Sequence, residues 1–193
     1  MMTADEIKDL FMRSGALMEG HFKLTSGLHS PQYVNKFNLL SKPEYAAPLL
    51  EEMASRWRDK EVEIVVGPAV GGIILSYEIA RHLNISGIFL EREKGAMTLS
   101  RGFEIKPNQR VLVVEDVVTT GASVKEVCDV VSKAGGDLIG ISLMVDRSGG
   151  EASFDIETDS LLTLDLETYD PNDCPLCDNG TSLSTLGSTG KKL

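Results

Sequence analysis

VLVVEDVVTTGAS, residues 111–123, is the stretch that decides the fold. Its first four residues are apolar, and such a run before a turn is typical of a strand buried on both faces of a helix-covered parallel sheet. Glu115 and Asp116 follow where such a strand ends. Because ligands of open α/β sheets bind beside the carboxyl ends of strands, we expect this acidic pair to meet a ligand.

Apolar runs alternate with helical patterns on both sides of this strand. The predicted strands are 64–66, 88–90, 111–114 and 138–145, and the predicted helices between them are 73–83 and 124–134. This alternation is typical of βαβ units with right-handed crossovers. The sequence therefore predicts an α/β fold in which helices flank a central, mostly parallel sheet.

Capping patterns predict two further helices near the N-terminus. Thr3 with Glu6 forms a capping-box pattern at the start of the first helix. Ser41 with Glu44 repeats the pattern before a second helical segment. Pro48 should either kink that helix or mark its true start.

Composition excludes several classes of partner. The 193 residues carry a net charge of −10 and are 42% hydrophobic, as expected for one soluble globular domain. The chain lacks the basic stripe that nucleic-acid binding needs. No stretch approaches the roughly 18 apolar residues of a membrane span, and the acidic N-terminus is unlike a signal peptide, so we expect a cytoplasmic protein without a membrane partner.

The second half of the stretch has the chemistry of a phosphate site. Backbone N–H groups at a helix N-terminus, with hydroxyls beside them and a glycine that permits close approach, bind phosphate. These residues are Thr119, Thr120, Gly121, Ala122 and Ser123. The carboxylates before them would repel phosphate but accept hydrogen bonds from vicinal sugar hydroxyls, so a sugar 5-phosphate satisfies both halves.

Residues 111–123 resemble the phosphoribosyl pyrophosphate (PRPP) signature of type I phosphoribosyltransferases. The resemblance implies that Glu115 and Asp116 hold the ribose hydroxyls, with Asp116 catalytic, and that the rest of the signature surrounds the 5-phosphate. That remainder is Val117, Val118 and the five residues of the phosphate loop. The alternative is a strand that ends in a solvated acidic turn and a helix cap.

Two segments point to the base that receives the ribose. Residues 21–35, HFKLTSGLHSPQYVN, resemble the hood of orotate phosphoribosyltransferases, which implies that Lys23, Ser26 and Tyr33 contact orotate. Read from its residues alone, this segment is equally compatible with a turn-rich connection. Met144-Val145-Asp146-Arg147 resembles the family strand whose arginine, here Arg147, binds the orotate carboxylate. The alternative for this residue is an ordinary edge arginine in a salt bridge.

Further segments extend the resemblance over about residues 20–170. Gly67 to Gly72 resembles the pyrophosphate loop, which implies that Ala69 and Gly71 bind PRPP, although Gly71 stands where other members have a lysine. Thr119 is also implied to reach orotate. Together these matches imply a type I phosphoribosyltransferase fold in one domain over 1–193. Its parts are a hood at about 1–40, a core at about 41–170 and a loosely ordered, Gly- and Ser-rich tail at about 171–193.

The segment 91–103 lies where the family has a mobile loop that crosses to the partner subunit, which implies a homodimer. Arg92 matches a family arginine that binds PRPP, and Arg92 and Lys94 are the implied catalytic basic residues. The match is incomplete because Glu93 follows Arg92, so either Lys94 or Arg101 could serve as the second basic group. The alternative is a solvated hairpin whose charges face water.

The resemblance implies magnesium-dependent transfer of 5-phosphoribosyl from PRPP to orotate, which gives orotidine 5′-phosphate and pyrophosphate in pyrimidine (UMP) biosynthesis. Mg²⁺ is expected to be held mainly by PRPP and water rather than by direct protein ligands. The alternatives are transfer to another base, such as a purine or uracil, and a PRPP-binding regulator without catalysis.

Cys174 and Cys177 form a Cys-x-x-Cys pair near the C-terminus, and the segment around them looks like the tail of one branch of the short orotate enzymes. Such a pair is half of a tetrahedral zinc site, but Cys128 is the one other cysteine. We therefore expect an exposed dithiol or simple packing of the tail rather than a metal site.

Overall fold

The computed structural model describes residues 1–24 and 26–186. In this part of the chain the helices are α1 (Ala4–Ser14), α2 (Lys36–Leu40), α3 (Pro43–Arg56), α4 (Gly71–Leu83), α5 (Ala122–Lys133), the 3-10 helix Pro171–Asp173 and α6 (Pro175–Asp178). The strands are β1 (Leu17–Lys23), β2 (His29–Val34), β3 (Ile64–Pro68), β4 (Ser86–Glu93), β5 (Ala96–Thr98), β6 (Arg110–Val118), β7 (Asp137–Asp146), β8 (Thr158–Thr163) and β9 (Ser184–Thr185).

The central sheet has six strands in the order β5-β4-β3-β6-β7-β8. Every neighbouring pair is parallel except β4 and β5, which form an antiparallel hairpin. The four predicted strands and the two predicted crossover helices are confirmed. β6 continues past the acidic pair, however, because Val117 and Val118 still pair with β7. Glu115 and Asp116 therefore lie within the last part of the strand and not after it.

Helices cover both faces of β6, which explains its unbroken apolar run. Leu112 and Val114 belong to the core formed with α1, α3 and α4, whereas Val111 and Val113 belong to the core formed with α5. All four side chains are fully buried. This alternation is the two-residue period of a strand, and it fixes the direction in which each residue at the end of the strand points.

The two predicted N-terminal helices form, with one difference at a boundary. Thr3 caps α1, and its reciprocal hydrogen bonds with Glu6 confirm the capping box. α3 begins at Pro43, and Lys42 precedes it without a side-chain cap, so the predicted cap at Ser41 is wrong. Proline is favoured at the first helical position because its missing N–H would have no intrahelical partner there. Pro48 lies inside the helix.

A second, three-stranded sheet joins the two ends of the chain. Its order is β2-β1-β9, with β1 and β2 antiparallel and β9 parallel to β1. His29 and Tyr169 also exchange two backbone hydrogen bonds of 2.9 and 2.8 Å. The prediction of a loosely ordered tail is therefore wrong for 171–186, because composition does not reveal a partner strand that lies far away in sequence. The remaining predicted tail, 187–193, lies outside the described residues.

Across 1–24 and 26–186, none of the helices combines the length and the hydropathy needed to cross a membrane.

Candidate active site

The acidic pair of β6 faces a cleft with a volume of about 180 Å³. Glu115 and Asp116 are 7% and 1% exposed, and the Asp116 N–H donates to Oε1 of Glu115 at 3.0 Å. Lys36 Nζ lies 2.7 Å from Oδ1 of Asp116. Oδ2 of Asp116 is buried without a hydrogen-bond partner among the described residues. The cleft is also lined by Pro68, Ala69, Val70, Arg92, Met97, Val117 and Ser123.

The electrostatics of the acidic pair favour a state in which one of the two carboxyl groups is protonated. Burial, together with the negative charge of Asp116, raises the pKa of Glu115 to about 8, and Lys36 opposes this shift in part. Two adjacent carboxylates in a desolvated site resist double ionisation, so Glu115 holds its proton while Asp116 pairs with the lysine. The cleft therefore offers a neutral donor and a charged acceptor side by side.

Lys36 is a cleft residue that the sequence analysis missed. It is the first residue of α2, and the turn after β2 brings it to Asp116, 80 positions away in sequence. The sequence around Lys36 has no feature that distinguishes it from a surface lysine. Its proximity to the predicted hood segment, which ends at Asn35, was the available signal.

The predicted phosphate loop lies beside the acidic pair and leads into α5. Gly121 is the N-cap of α5 with a φ of 76°, a left-handed conformation that glycine adopts without steric cost. The Ala122 N–H donates to the Thr120 hydroxyl at 3.4 Å. A second cavity, lined by Glu115 and by 117–124, opens over this helix N-terminus. The loop thus presents backbone amides and side-chain hydroxyls next to Glu115.

The loop between β3 and α4 closes another side of the cleft. Ala69 lies at its start, and its N–H donates to the Leu90 carbonyl at 2.7 Å. Gly71 packs so closely against Asp116 that a Cβ atom at this position would overlap the carboxylate. Glycine at 71 therefore allows the N-terminus of α4 to lie against the acidic pair, and the lysine seen in relatives could not be placed here without displacing Asp116.

The predicted mobile loop is the β4–β5 hairpin and the turn that follows it. Arg92 lines the cleft, where its guanidinium donates to the Gly95 carbonyl at 2.6 Å and lies 2.8 Å from Glu126. Lys94 is in the exposed hairpin turn and does not line the cleft. Arg101 is bound to Glu91, with a shortest separation of 2.7 Å. Of these three basic residues, Arg92 lines the cleft, whereas Lys94 and Arg101 do not.

Arg147 follows the end of β7, and its N–H donates to the Val118 carbonyl at 2.8 Å. Burial lowers the pKa of the guanidinium, and Tyr33 partly opposes this shift. Its Nε is buried without a hydrogen-bond partner within the described ranges. The predicted alternative, an ordinary salt bridge, does not form among those residues. A half-buried guanidinium with an unpaired Nε can donate to a planar anion such as a carboxylate.

The structure does not bring the remaining hood candidates to either cavity. Lys23 and Ser26 are exposed, and the Ser26 hydroxyl accepts from the Leu28 N–H at 3.4 Å. Tyr33 packs against Phe22, with ring centroids 5.6 Å apart, and it is near enough to Arg147 to oppose the lowering of that residue's pKa. Of the three hood candidates, Tyr33 is therefore the one that interacts with Arg147, the residue predicted to bind orotate.

A separate cluster, which the sequence analysis also missed, lies where the tail meets the hood. His21 and His29 lie against Cys174 and Cys177, and the four candidate ligand atoms are within 4.8 Å of one another. The interpretation of the Cys-x-x-Cys pair as an exposed dithiol needs correction, because Cys174 is 1% exposed. Cys128 does not join the pair, and the two histidines that complete the cluster lie about 150 positions away in sequence.

Comparisons with known proteins agree on one family. A model of the phosphoribosyl transferase domain matches residues 44–169. The chain is 48% identical to an orotate phosphoribosyltransferase of Desulforamulus reducens, over 97% of this chain and 98% of that protein. It is 50% identical to one of Thermotoga maritima, over 96% of this chain and 100% of that protein.

A solved structure shares the architecture as well. The orotate phosphoribosyltransferase of Aeropyrum pernix superposes with a TM-score of 0.69 at 28% identity, over 82% of this chain and 93% of that one. The chain is thus similar to orotate phosphoribosyltransferases along nearly its whole length. It also has a parallel sheet, with the acidic pair near the carboxyl end of β6 and the phosphate loop after that strand. The chain belongs to the orotate phosphoribosyltransferases of the type I phosphoribosyltransferase family.

Proposed function

We propose that this enzyme transfers the 5-phosphoribosyl group of PRPP to a ring nitrogen of orotate, giving orotidine 5′-phosphate and pyrophosphate in de novo pyrimidine (UMP) biosynthesis. The observation that carries the proposal is that the buried pair Glu115 and Asp116 lines the cleft, and that Glu115 also lines the neighbouring cavity. One cavity ends at a helix N-terminus suited to phosphate, and the other has arginine and backbone groups suited to diphosphate.

The acidic pair would hold the sugar. Asp116 would accept from one ribose hydroxyl, and neutral Glu115 can both donate to and accept from the other hydroxyl. As diphosphate leaves, positive charge grows at the anomeric carbon, and the negative charge of Asp116 stabilises it. Thr119 to Ser123, with the backbone of Val117 and Val118, would bind the 5-phosphate.

Orotate would bind beside the sugar, on the side of Arg147. A planar guanidinium matches a carboxylate through two parallel hydrogen bonds, and a purine or uracil has no such group. Tyr33 and Thr119 would border the base. Lys23 and Ser26 line neither cavity in the substrate-free chain, and they would join the base from the hood when orotate binds.

Mg²⁺ would bind with PRPP. The carboxyl groups of Glu115 and Asp116 at the cleft, together with substrate oxygens, are hard donors of the kind that Mg²⁺ prefers. Because Asp116 is paired with Lys36 and Glu115 is neutral, diphosphate oxygens and water would supply most of the ligands. When bound, the ion neutralises the charge that develops on the departing diphosphate.

The diphosphate would lie between the β3–α4 loop and the β4–β5 hairpin. Ala69 and Gly71 would offer backbone amides, and Arg92 would supply positive charge as a catalytic group. Lys94 would act on the site of a partner subunit in a homodimer, since it lies away from the cleft of its own chain. We place this activity in the cytoplasm and assign residues 1–193 to one phosphoribosyltransferase domain.

A panel of bases tests the proposal. The enzyme is given PRPP and Mg²⁺ with orotate, uracil, adenine or hypoxanthine, and pyrophosphate release is measured. We expect turnover with orotate alone. Arg147→Lys should raise the KM for orotate by about 10- to 100-fold, with little change in the KM for PRPP, because a bidentate charged contact is lost.

Arg110→Lys is the matched control, because Arg110 lies at the opposite end of β6 and is expected to leave both constants unchanged. Turnover with a purine or uracil and not with orotate would overturn the choice of base. Tight PRPP binding without turnover of any base would indicate a regulator.

A further inference from the structure

We propose that His21, His29, Cys174 and Cys177 bind one Zn²⁺ ion, which fastens the C-terminal segment to the hood. The two histidines lie on the neighbouring strands β1 and β2, whereas Cys174 is the N-cap of α6 and Cys177 lies within that helix. This site is separate from the catalytic cleft, because none of the four residues lines either cavity.

Four of the six separations between ligand atoms are close to those around a single tetrahedral ion, and all six are within 4.8 Å. Nε2 of His21 lies 3.0 Å from Nδ1 of His29, and the Sγ atom of Cys177 lies 3.8 and 3.4 Å from these two nitrogens. The Sγ atom of Cys174 lies 3.6 Å from Nε2 of His21. Zn–N bonds of about 2.0 Å and Zn–S bonds of about 2.3 Å at tetrahedral angles require separations of about 3.3 Å between nitrogens and about 3.6 Å between nitrogen and sulfur.

The surroundings of His21 prepare it for coordination. Its Nδ1 lies 2.8 Å from the Thr181 carbonyl oxygen, which can accept only from a protonated Nδ1. The neutral ring then has a bare lone pair on Nε2, the atom that points into the cluster. A backbone carbonyl in this position is the usual support for a metal-bound histidine, because it fixes both the tautomer and the ring orientation.

Charge and burial favour zinc in this set. Two thiolates and two neutral imidazoles give a net charge of zero with Zn²⁺, so the site avoids an uncompensated charge although three of its four residues are buried. Mixed sulfur and nitrogen ligands in a tetrahedron are typical of zinc, and carboxylate-preferring Mg²⁺ is not suited to them. Four protein ligands leave no open coordination position, so the ion would be structural and not catalytic.

The position of the site explains what the ion would do. The histidines lie on either side of the hood segment that contains Ser26, and the cysteines lie between Tyr169, which pairs with His29, and β9, which pairs with β1. One ion therefore joins two strands of the hood to the segment that completes their sheet. Because binding occurs only when these parts are together, its free energy would stabilise the folded chain.

Metal analysis of the full-length protein, purified without a polyhistidine tag, tests the proposal. We expect about one zinc per chain, as for a closed four-ligand site, and loss of that zinc in Cys177→Ser and in His29→Gln. The matched controls are Cys128→Ser and His82→Gln, which alter the remaining cysteine and histidine outside the cluster and should retain the metal. A strong chelator should lower Tm by about 5 °C or more in the unmodified protein, and added zinc should restore it.

Cobalt exchange keeps the test independent of how well the variants fold. Co²⁺ bound to the unmodified protein should give the intense visible and near-ultraviolet bands of a tetrahedral ion with thiolate ligands. The proposal is overturned if the reduced protein takes up no zinc, if the cobalt spectrum lacks thiolate bands, or if the cluster variants keep the metal. Loss of zinc in the two control variants would also overturn it.

Discussion

Single residues of β6 set the chemistry of the cleft, and Glu115 is the clearest case. Its carboxyl group is removed from water and lies next to Asp116, which is why its pKa rises to about 8. A protonated Glu115 is thus part of the substrate-free folded state at neutral pH. The cost of ionising this group in place should be visible in the pH dependence of stability.

We predict that the free energy of unfolding of the substrate-free protein falls as the pH rises from about 5 to about 9, and that Glu115→Gln removes much of this fall. The unfolded chain releases the Glu115 proton near the ordinary value of 4.5, whereas the folded chain keeps it to about pH 8. The stabilisation that the protonated Glu115 provides is therefore complete below a pH of 4.5, and it is lost as the pH rises through about 8. The expected difference between the two proteins is a few kcal/mol, measured by urea unfolding.

Glu44→Gln is the control for this prediction, because Glu44 is exposed in the first turn of α3. It should leave the pH dependence of the unmodified protein in place. An equal loss of stability in the unmodified protein and in Glu115→Gln would show that another group is responsible.

The residues of the cleft differ in how far the sequence could predict them. The acidic pair and the phosphate loop are contiguous, and Arg147 ends the next strand, so strand periodicity and parallel order bring them to one edge of the sheet. Lys36 was not predictable in this way, because its contact with Asp116 depends on the path of the chain after β2. The four-residue cluster of histidines and cysteines depends likewise on how the tail folds back.

At the scale of elements, the contact between α3 and the central sheet depends on a missing side chain in β7. Trp57, at the C-terminal end of α3, is 1% exposed, and its indole ring lies directly over Gly140. A Cβ atom at 140 would overlap two atoms of that ring. The helix therefore packs against backbone at this point.

We predict that Gly140→Ala lowers the free energy of unfolding by about 1–3 kcal/mol, because overpacking forces the indole or the strand to shift. Urea unfolding monitored by Trp57 fluorescence measures the change. Ser142→Ala is the matched control on the same strand and face. The Ser142 hydroxyl has no hydrogen-bond partner among the described residues, so its removal should change stability by about 0.5 kcal/mol or less. Comparable losses in the two variants would contradict the packing argument.

Elements with strong periodicity were predictable, and elements defined by distant partners were not. The strands of the central sheet carry their own signal because both faces are buried. β9 has two residues, and it exists because β1 offers an unpaired edge. The start of α3 was misplaced because Ser41 and Glu44 resemble a cap, while Pro43 determines the first turn.

At the scale of the whole molecule, the position of the β4–β5 hairpin bears on assembly. The hairpin extends from the edge of the sheet, with Lys94 at its exposed turn. In the homodimer that we propose, this turn reaches the cleft of the partner. The Asp116 side chain, in contrast, serves the cleft of its own chain.

We predict that Asp116→Asn and Lys94→Ala, each nearly inactive alone, regain activity when the two proteins are mixed and allowed to exchange subunits. In a mixed dimer the Lys94→Ala chain keeps its own Asp116 and receives an intact Lys94 from its partner. Random exchange should restore about a quarter of all sites, as measured by orotate consumption.

A mixture of Asp116→Asn with Arg147→Ala is the control, because both changes damage the cleft of their own chain and no combination repairs one. Absence of recovery in the first mixture, despite demonstrated exchange, would place Lys94 in its own subunit's site. Full activity of Lys94→Ala alone would remove it from the catalytic machinery.

The parallel pairing of β9 with β1 has a consequence for synthesis on the ribosome. The strands of the central sheet end at residue 163, so a nascent chain can assemble that sheet while the last part of the hood is still in the exit tunnel. The N-terminal hairpin β1–β2 is made early, but its third strand and the contact of His29 with Tyr169 arrive late. A chain that stops before 165 would therefore have the acidic pair and the phosphate loop, but its small sheet would lack β9 and the contact with Tyr169.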